Sequence, residues 1–299
     1  MSTTADEIAT QPALWQRAAD LAHQVADLLP AQGEDVCVVG CGTSLYMAQA
    51  WAALRERAGH GRTDAFAASE LPDGRRYDVL VALSRSGTTS EVAHVVRTST
   101  ATRSVAITAV PAEPVATAAD GVIDLSFADE RSVVQTRFAT TALTLLRAHA
   151  GDGGANAAAD AELALAGTLP VDPATVSQWT FLGRDWTVGL AHEAALKLRE
   201  AAQAWTEAYP ALEYRHGPIS VTGPESVVWS LGPLDPSLES EIRSTGATVV
   251  APALDPLASL VLAQRTAVAL AEARGLNPDR PRNLSRSVVL SGLALDVLA

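Results

Sequence analysis

The sequence is poor in cysteine, in basic residues and in aromatic residues. Of 299 residues only 2 are Cys, 22 are Lys or Arg against 34 Asp or Glu, and aromatic residues make up 5%. Cys37 and Cys41 stand four apart with no second pair, so neither a disulfide framework nor a four-ligand zinc site is indicated. The formal charge of -12 excludes the basic face that a duplex nucleic-acid binder needs to displace counterions, although a local anion site remains open. No apolar leader core or spanning stretch follows the acidic start MSTTADEIAT, and a soluble protein of a reducing compartment, the cytoplasm, is expected with no membrane contact. Charged residues are also few, at 19% against 48% hydrophobic, which excludes a disordered chain. The length is about twice the usual domain size, and two domains are expected.

Apolar positions at helical spacing (Leu14, Ala18, Leu21, Ala22, Val25, Leu28, Leu29) predict one N-terminal helix that stops at Pro30 and Gly33. VCVVG then reads as a buried strand, followed by a tight turn and the helical SLYMAQAWAALRER. DAFAASEL, YDVLVALS, SVAITAV and GVIDLSF continue the alternation, which implies a parallel sheet covered on both faces. Gly, Pro and Asp flank an alanine-rich stretch over 151–175, where we place a boundary between domains 1–160 and 161–299.

Beyond that boundary the pattern restarts. VCVVGCGTSLYMAQAWAALRER lies over WTFLGRDWTVGLAHEAALKLRE without gaps at an offset of 143, with Gly40 on Gly183, Ala48 on Ala191 and Ala52 on Ala195. A later pair, YDVLVALSRSG against ESVVWSLGPLD, keeps the order and drifts by a few residues, which favours an old duplication over chance likeness of two βα units.

Two hydroxyl-rich loops follow strands of the first half: Gly42-Thr43-Ser44, and Ser84-Arg85-Ser86-Gly87-Thr88-Thr89. Loops at the carboxyl ends of parallel strands are where ligands bind in open α/β sheets, and helix N-terminal N–H groups with Ser and Thr hydroxyls can hold a phosphate without lysine. The alternative is plain helix capping. There is no G-x-G-x-x-G and no Walker A lysine, so no nucleotide cofactor is indicated. In the second half, Glu193 and Lys197 are i,i+4, Lys197 and Glu200 are i,i+3, and Glu207 is read two turns further along the same helix. A salt-bridged surface helix would explain this pattern, but Leu196, Leu198, Ala201 and Ala202 leave little polar face. Lys197 and Glu200 are therefore expected to be partly buried and, with His216 in a loop before Gly217-Pro218, to form an acid/base set.

CGTS (41–44), ASEL (68–71), SRSGTT (84–89), EAALKLRE (193–200), EAY (207–209), HGP (216–218) and PRNLSRSV (281–288) together resemble the SIS (sugar isomerase) family, in particular the isomerase half of its glucosamine-6-phosphate synthases. The likeness runs in order from about residue 35 to 290. It implies an α/β protein of two Rossmann-like, doubly wound (flavodoxin-like) parallel-sheet SIS domains in tandem, and a homodimer with shared active sites.

By the same resemblance, Gly42, Thr43, Ser44, Ser84, Ser86 and Thr89 belong to the loops that hold a sugar 6-phosphate. Arg85 stands where the family has glutamine and could add a charged donor. Glu200 would move the proton between C1 and C2, Lys197 would stabilise charge on the enediol oxygen, and His216, from the neighbouring subunit, would open the ring. Val133 and Gln135 match a loop lining the sugar pocket, the glutamine replacing a serine. Arg286 replaces a lysine that can form an imine, which arginine cannot do.

With Met-Ser at the start and no other cysteines, no glutaminase activity is expected. The apolar tail VVLSGLALDVLA could pack on a partner subunit or in the core. The resemblance thus implies an enzyme without metal or organic cofactor, deaminating glucosamine 6-phosphate to fructose 6-phosphate. Simple aldose–ketose isomerisation and fructosamine 6-phosphate cleavage are the alternatives within the enzyme class, and a non-catalytic sugar-phosphate-binding regulator is the alternative outside it.

Overall fold

The structure, a computed structural model, describes residues 2–291. The N-terminal periodicity forms two helices instead of the single one expected, α1 (Thr3–Ala9) and α2 (Gln11–Gln24). Pro12 accounts for the break: it has no N–H to give the Ile8 carbonyl. The Gln11 side-chain amide donates to that carbonyl instead, at 3.1 Å.

Contacts group the chain into two interleaved units. One comprises Ala13–Glu130, Arg137–Gly154 and the chain from Ser285 onward; the other comprises the residues up to Pro12, Arg131–Thr136 and Ala155–Leu284.

In the first unit β1 (Val36–Gly40), α3 (Thr43–Arg57), β2 (Thr63–Ala67), β3 (Val79–Ser84), α4 (Ser90–Thr98), β4 (Arg103–Thr108), α5 (Pro114–Ala118), β5 (Gly121–Asp124) and α6 (Arg137–His149) follow in order. The strands form one parallel sheet in the order β2-β1-β3-β4-β5. Every residue of β1 and β3 is buried, which is why both read as continuous apolar runs and not as alternating ones. One face packs Leu80 and Ala82 against Val92, Val96 and Val115. The direction of strand addition reverses between β1 and β3, so the loops after these two strands flank the sheet's topological switch point.

The second unit contains α7 (Ala157–Ala166), β6 (Gln178–Gly183), α8 (Thr187–Ala202), β7 (Thr206–Pro210), β8 (Ser226–Ser230), α9 (Pro236–Ser244), β9 (Thr248–Val250) and α10 (Pro256–Ala273). Its parallel sheet has the order β7-β6-β8-β9. This is the first sheet's order without a fifth strand.

The correspondence extends to register. Val36 pairs with Thr63 and Trp179 with Thr206, both members shifted by the same 143 residues. The 3-10 turn Ala68–Glu70 after β2 and the one starting at Ala211 after β7 keep that shift. The third strands do not, since Val36 pairs with Val79 while Trp179 pairs with Val227. The extra length lies between β7 and β8, which holds the turns Ala211–His216 and Pro218–Val221. The matched glycines share one steric cause. A Cβ on Gly40 would stand 2.7 Å from the Ser44 carbonyl carbon, and one on Gly183 would stand 2.4 Å from that of Thr187.

Candidate active site

In the five-stranded unit, Gly42 precedes α3 with φ +54°, a conformation that favours glycine, and space for a Cβ lies open beside it. Thr43 and Ser44 begin the helix and are buried. After β3, the Ser84 hydroxyl accepts from the Gly87 N–H at 3.2 Å, and the Ser86 hydroxyl accepts from the N–H of Thr88 at 3.2 Å and from its hydroxyl at 3.0 Å. Gly87 has φ +69°, and a Cβ there would meet Glu113 Cβ at 2.7 Å. Thr89 occupies the cap position of α4, yet its side chain makes no cap hydrogen bond. Simple capping therefore does not account for Thr89.

Arg85 is turned inward. Its guanidinium lies 3.6 Å from the Glu130 carboxylate, both side chains being buried, and also donates to the Arg286 carbonyl at 3.0 Å. The extra charge expected for the ligand is thus compensated inside the unit. Arg286 in turn pairs with Asp129 at 2.5 Å and donates to the Glu130 carbonyl. Residues 287–290 run alongside the loop: the Ser287 hydroxyl lies 2.9 Å from the Thr88 hydroxyl, which can accept from it, the Ser90 N–H donates to the Val288 carbonyl at 3.2 Å, and the Leu290 N–H to Ser90 Oγ at 2.9 Å. The first part of the expected apolar tail is thus fixed to the first βα loops; residues 292–299 lie outside the described residues.

The four-stranded unit carries the charged triad. Lys197, the only lysine in the sequence, is 1% exposed and contacts Glu193 Oε1 at 3.3 Å and Glu200 Oε2 at 2.5 Å. Glu193 is equally buried, whereas Glu200 is 19% exposed. Burial opposes charge on the ammonium, but the two carboxylates outweigh it and hold the Lys197 pKa above its ordinary value. Glu200 faces a cleft of about 410 Å³ whose other walls are Leu196, Arg199, Gln203 and the segment Arg282–Leu284.

Helix α8 does not continue to Glu207 as the spacing suggested. Gln203 adopts φ +52° and donates to the Arg199 and Leu198 carbonyls, closing the helix with a left-handed residue other than glycine. Glu207 is on β7 and accepts from the Gln178 amide at 3.3 Å. His216 ends the 3-10 turn after β7 and is exposed, with no side-chain partner among the described residues. Glu200 lies just before β7 and His216 beyond its far end. The four residue steps of β7, about 13 Å, lie between the two, and no contact joins them among the described residues.

Val133 and Gln135 belong to the segment Arg131–Thr136 of the same unit. The Gln135 side-chain oxygen is buried without a hydrogen-bond partner among the described residues. Neither thiol offers a nucleophile: burial, aided by Asp64, pushes Cys37 up to about 12, and burial, aided by Glu91, pushes Cys41 up to about 11. Sequence spacing missed Glu130 as Arg85's partner, and also the wall Arg282–Leu284. These are long-range contacts without a local pattern.

Residues 31–150 match the model of the SIS domain. The match covers less than half of the chain. It embraces the β1 and β3 loops described above. Glutamine–fructose-6-phosphate aminotransferase of Aeropyrum pernix is 34% identical over 138 residues, covering 36% of this chain and 22% of that protein. The same-named protein of Sulfolobus acidocaldarius is 29% identical over 313 aligned positions, covering 91% of this chain and 52% of that protein. The chain thus spans at most about half the length of these curated relatives. Among solved structures, glucosamine-6-phosphate deaminase of Thermotoga maritima superposes with a TM-score of 0.83 and 26% identity over 97% of this chain and 100% of that one. Tagatose-6-phosphate ketose/aldose isomerase of Escherichia coli, 18% identical with a TM-score of 0.80 over 98% of this chain and 97% of that one, shares the fold. These neighbours are named as phosphosugar isomerases and related amino-sugar enzymes.

Proposed function

We propose that the protein is a tandem SIS enzyme that converts glucosamine 6-phosphate and water to fructose 6-phosphate and ammonia. The observation that carries the reading is the Glu200 carboxylate, partly exposed in a cleft and backed by the buried Lys197 ammonium at 2.5 Å. The likeness to a deaminase along the whole chain supports the substrate. The common strand order and register of the two sheets support a duplicated SIS domain, with domains 1–160 and 161–299 as the inherited halves.

In this reading Ser44, Ser84, Ser86 and Thr89, with the first-turn N–H groups of α3 and α4, hold the 6-phosphate. Gly42 and Thr43 leave room for it. His216, exposed and not in contact with Glu200 in its own chain, acts in a second copy's site, which requires a homodimer. It opens the sugar ring. Glu200 takes the proton from C2 of the open-chain amino aldehyde and returns it to C1. C1 is thereby reduced to the alcohol and C2 oxidised to the imine, so the balance closes without an external oxidant or cofactor. Water adds at C2, the C–N bond breaks and ammonia leaves.

Lys197, its ammonium engaged by Glu193 and Glu200, acts through Glu200. It pairs with that carboxylate and fixes its rotamer. No protein imine is needed, and Arg286 serves the loop through Asp129 and Glu130.

The test is to supply glucosamine 6-phosphate and follow ammonia and fructose 6-phosphate. Equal release of both supports deamination. Deuterium exchange at C1 of fructose 6-phosphate without ammonia from the amino sugar would point to simple isomerisation. Tight binding without exchange would point to a regulator and sink the enzyme reading.

A further inference from the structure

Among the buried carboxylates that the mechanism does not use is Glu7. Glu7 of α1 is 4% exposed, and it grips the segment that carries Val133 and Gln135. One oxygen accepts from the Arg131 N–H at 2.5 Å; the other accepts from the Ser132 N–H at 3.3 Å and, in a shorter contact, from the Ser132 hydroxyl. Ser132, itself buried, bears on the Val134 carbonyl at 3.0 Å. A carboxylate receiving two adjacent backbone N–H groups and a hydroxyl fixes the loop's peptide planes, since charge-assisted bonds are short and directional.

The same short helix is held at its other end. Asp279 accepts from the N–H groups of Thr3 and Thr4 at 2.9 and 2.8 Å and from the Thr4 hydroxyl at 2.7 Å. Three residues after Asp279 begins the segment Arg282–Leu284 that walls the Glu200 cleft. Helix α1 is therefore tied to two loops of the four-stranded unit, one bearing Gln135 and one bordering Glu200. A buried amide oxygen without a partner is costly unless a ligand donor fills it. The Gln135 oxygen is such an acceptor, and the hydroxyl or ammonium groups of an amino sugar are such donors.

We infer that Glu7 is a positioning residue for sugar recognition: it holds loop 131–136 so that Gln135 accepts a hydrogen bond from the sugar, and it has no part in holding the phosphate. The inference rests on the proposed sugar site. Its test measures binding and not turnover, so the two can fail separately.

Calorimetric titration of the full-length protein and of Glu7→Gln with fructose 6-phosphate and with inorganic phosphate reads the two contributions apart. The substitution turns one acceptor into a donor facing donors. It is expected to weaken fructose 6-phosphate by about tenfold and inorganic phosphate by less than about twofold, the scale of losing one or two hydrogen bonds to the sugar. Ser132→Ala removes only the hydroxyl contact and serves if Glu7→Gln does not fold; it should shift the same ratio in the same direction by about threefold. Equal affinities in wild type and variant, or parallel weakening of both ligands, would overturn the inference. So would a wild type that binds the sugar phosphate no better than inorganic phosphate.

Discussion

Lys197 Nζ stands 2.5 Å from Glu200 Oε2 one turn further along α8, and of the pair only the carboxylate reaches the cleft. The helix thus presents a base while burying the charge that stabilises it. Glu193 completes the arrangement from the previous turn.

Replacing the base is the most direct check of chemistry. Glu200→Gln keeps the shape and removes proton transfer, so kcat for ammonia release should fall by about 10²–10⁴, the usual worth of a general base. Sugar-phosphate affinity should change little. A variant with undiminished exchange of deuterium into the sugar would remove Glu200 from the mechanism.

Lys197→Met leaves the buried Glu193 without its cation, beside the partly exposed Glu200. A loss of roughly 3–5 kcal/mol in urea unfolding is expected, as for a buried ion pair broken on one side. The pH dependence has a definite sign. The pKa of Lys197 is raised in the folded state above its ordinary value of 10.5, so its contribution is complete below that value and is lost as pH climbs through the higher folded value. Wild type should lose this increment only at strongly alkaline pH, and Lys197→Met should show no corresponding step there.

Phosphate recognition by hydroxyls predicts small, separable losses. Thr89→Val removes a hydroxyl that makes no cap bond, and it should raise both the KM of the sugar phosphate and the inhibition constant of inorganic phosphate by about 3- to 10-fold. Stability to urea should be nearly unchanged. If inorganic phosphate bound the variant as tightly as wild type, the phosphate would have to be elsewhere.

The two strand-end glycines offer a check on the fold. Gly183→Ala would place a Cβ 2.3 Å from the Thr187 carbonyl oxygen, and Gly40→Ala 2.7 Å from a backbone carbon. Each should destabilise by about 1–3 kcal/mol or more, because backbone must shift to admit the methyl group. Equal urea midpoints for wild type and variants would contradict the close approach.

Much of this was legible in the sequence because it is local. VCVVG and VLVALS are buried on both faces and read so, and the i,i+3 and i,i+4 spacing of Lys197 with its carboxylates survives intact in α8. What was misread depends on single backbone events. Gln203 takes a left-handed conformation without being glycine, so TEAYP looked like more helix when it is β7. The break before Pro12 is hidden by periodicity that continues on both sides of it. Glu7 with Ser132 and Arg85 with Glu130 are pairings that only the folded chain brings together, and nothing in their neighbourhoods announces them.

The buried contact of Arg85 with Glu130 constrains how this sequence can change. Replacing Arg85 alone with glutamine would take from the Glu130 carboxylate the guanidinium 3.6 Å away, while that carboxylate still receives the Arg137 N–H at the start of α6. Altering Glu130 alone would leave a guanidinium stranded inside the unit. The two positions are therefore coupled in energy: changing both together should cost less than the sum of the two single changes.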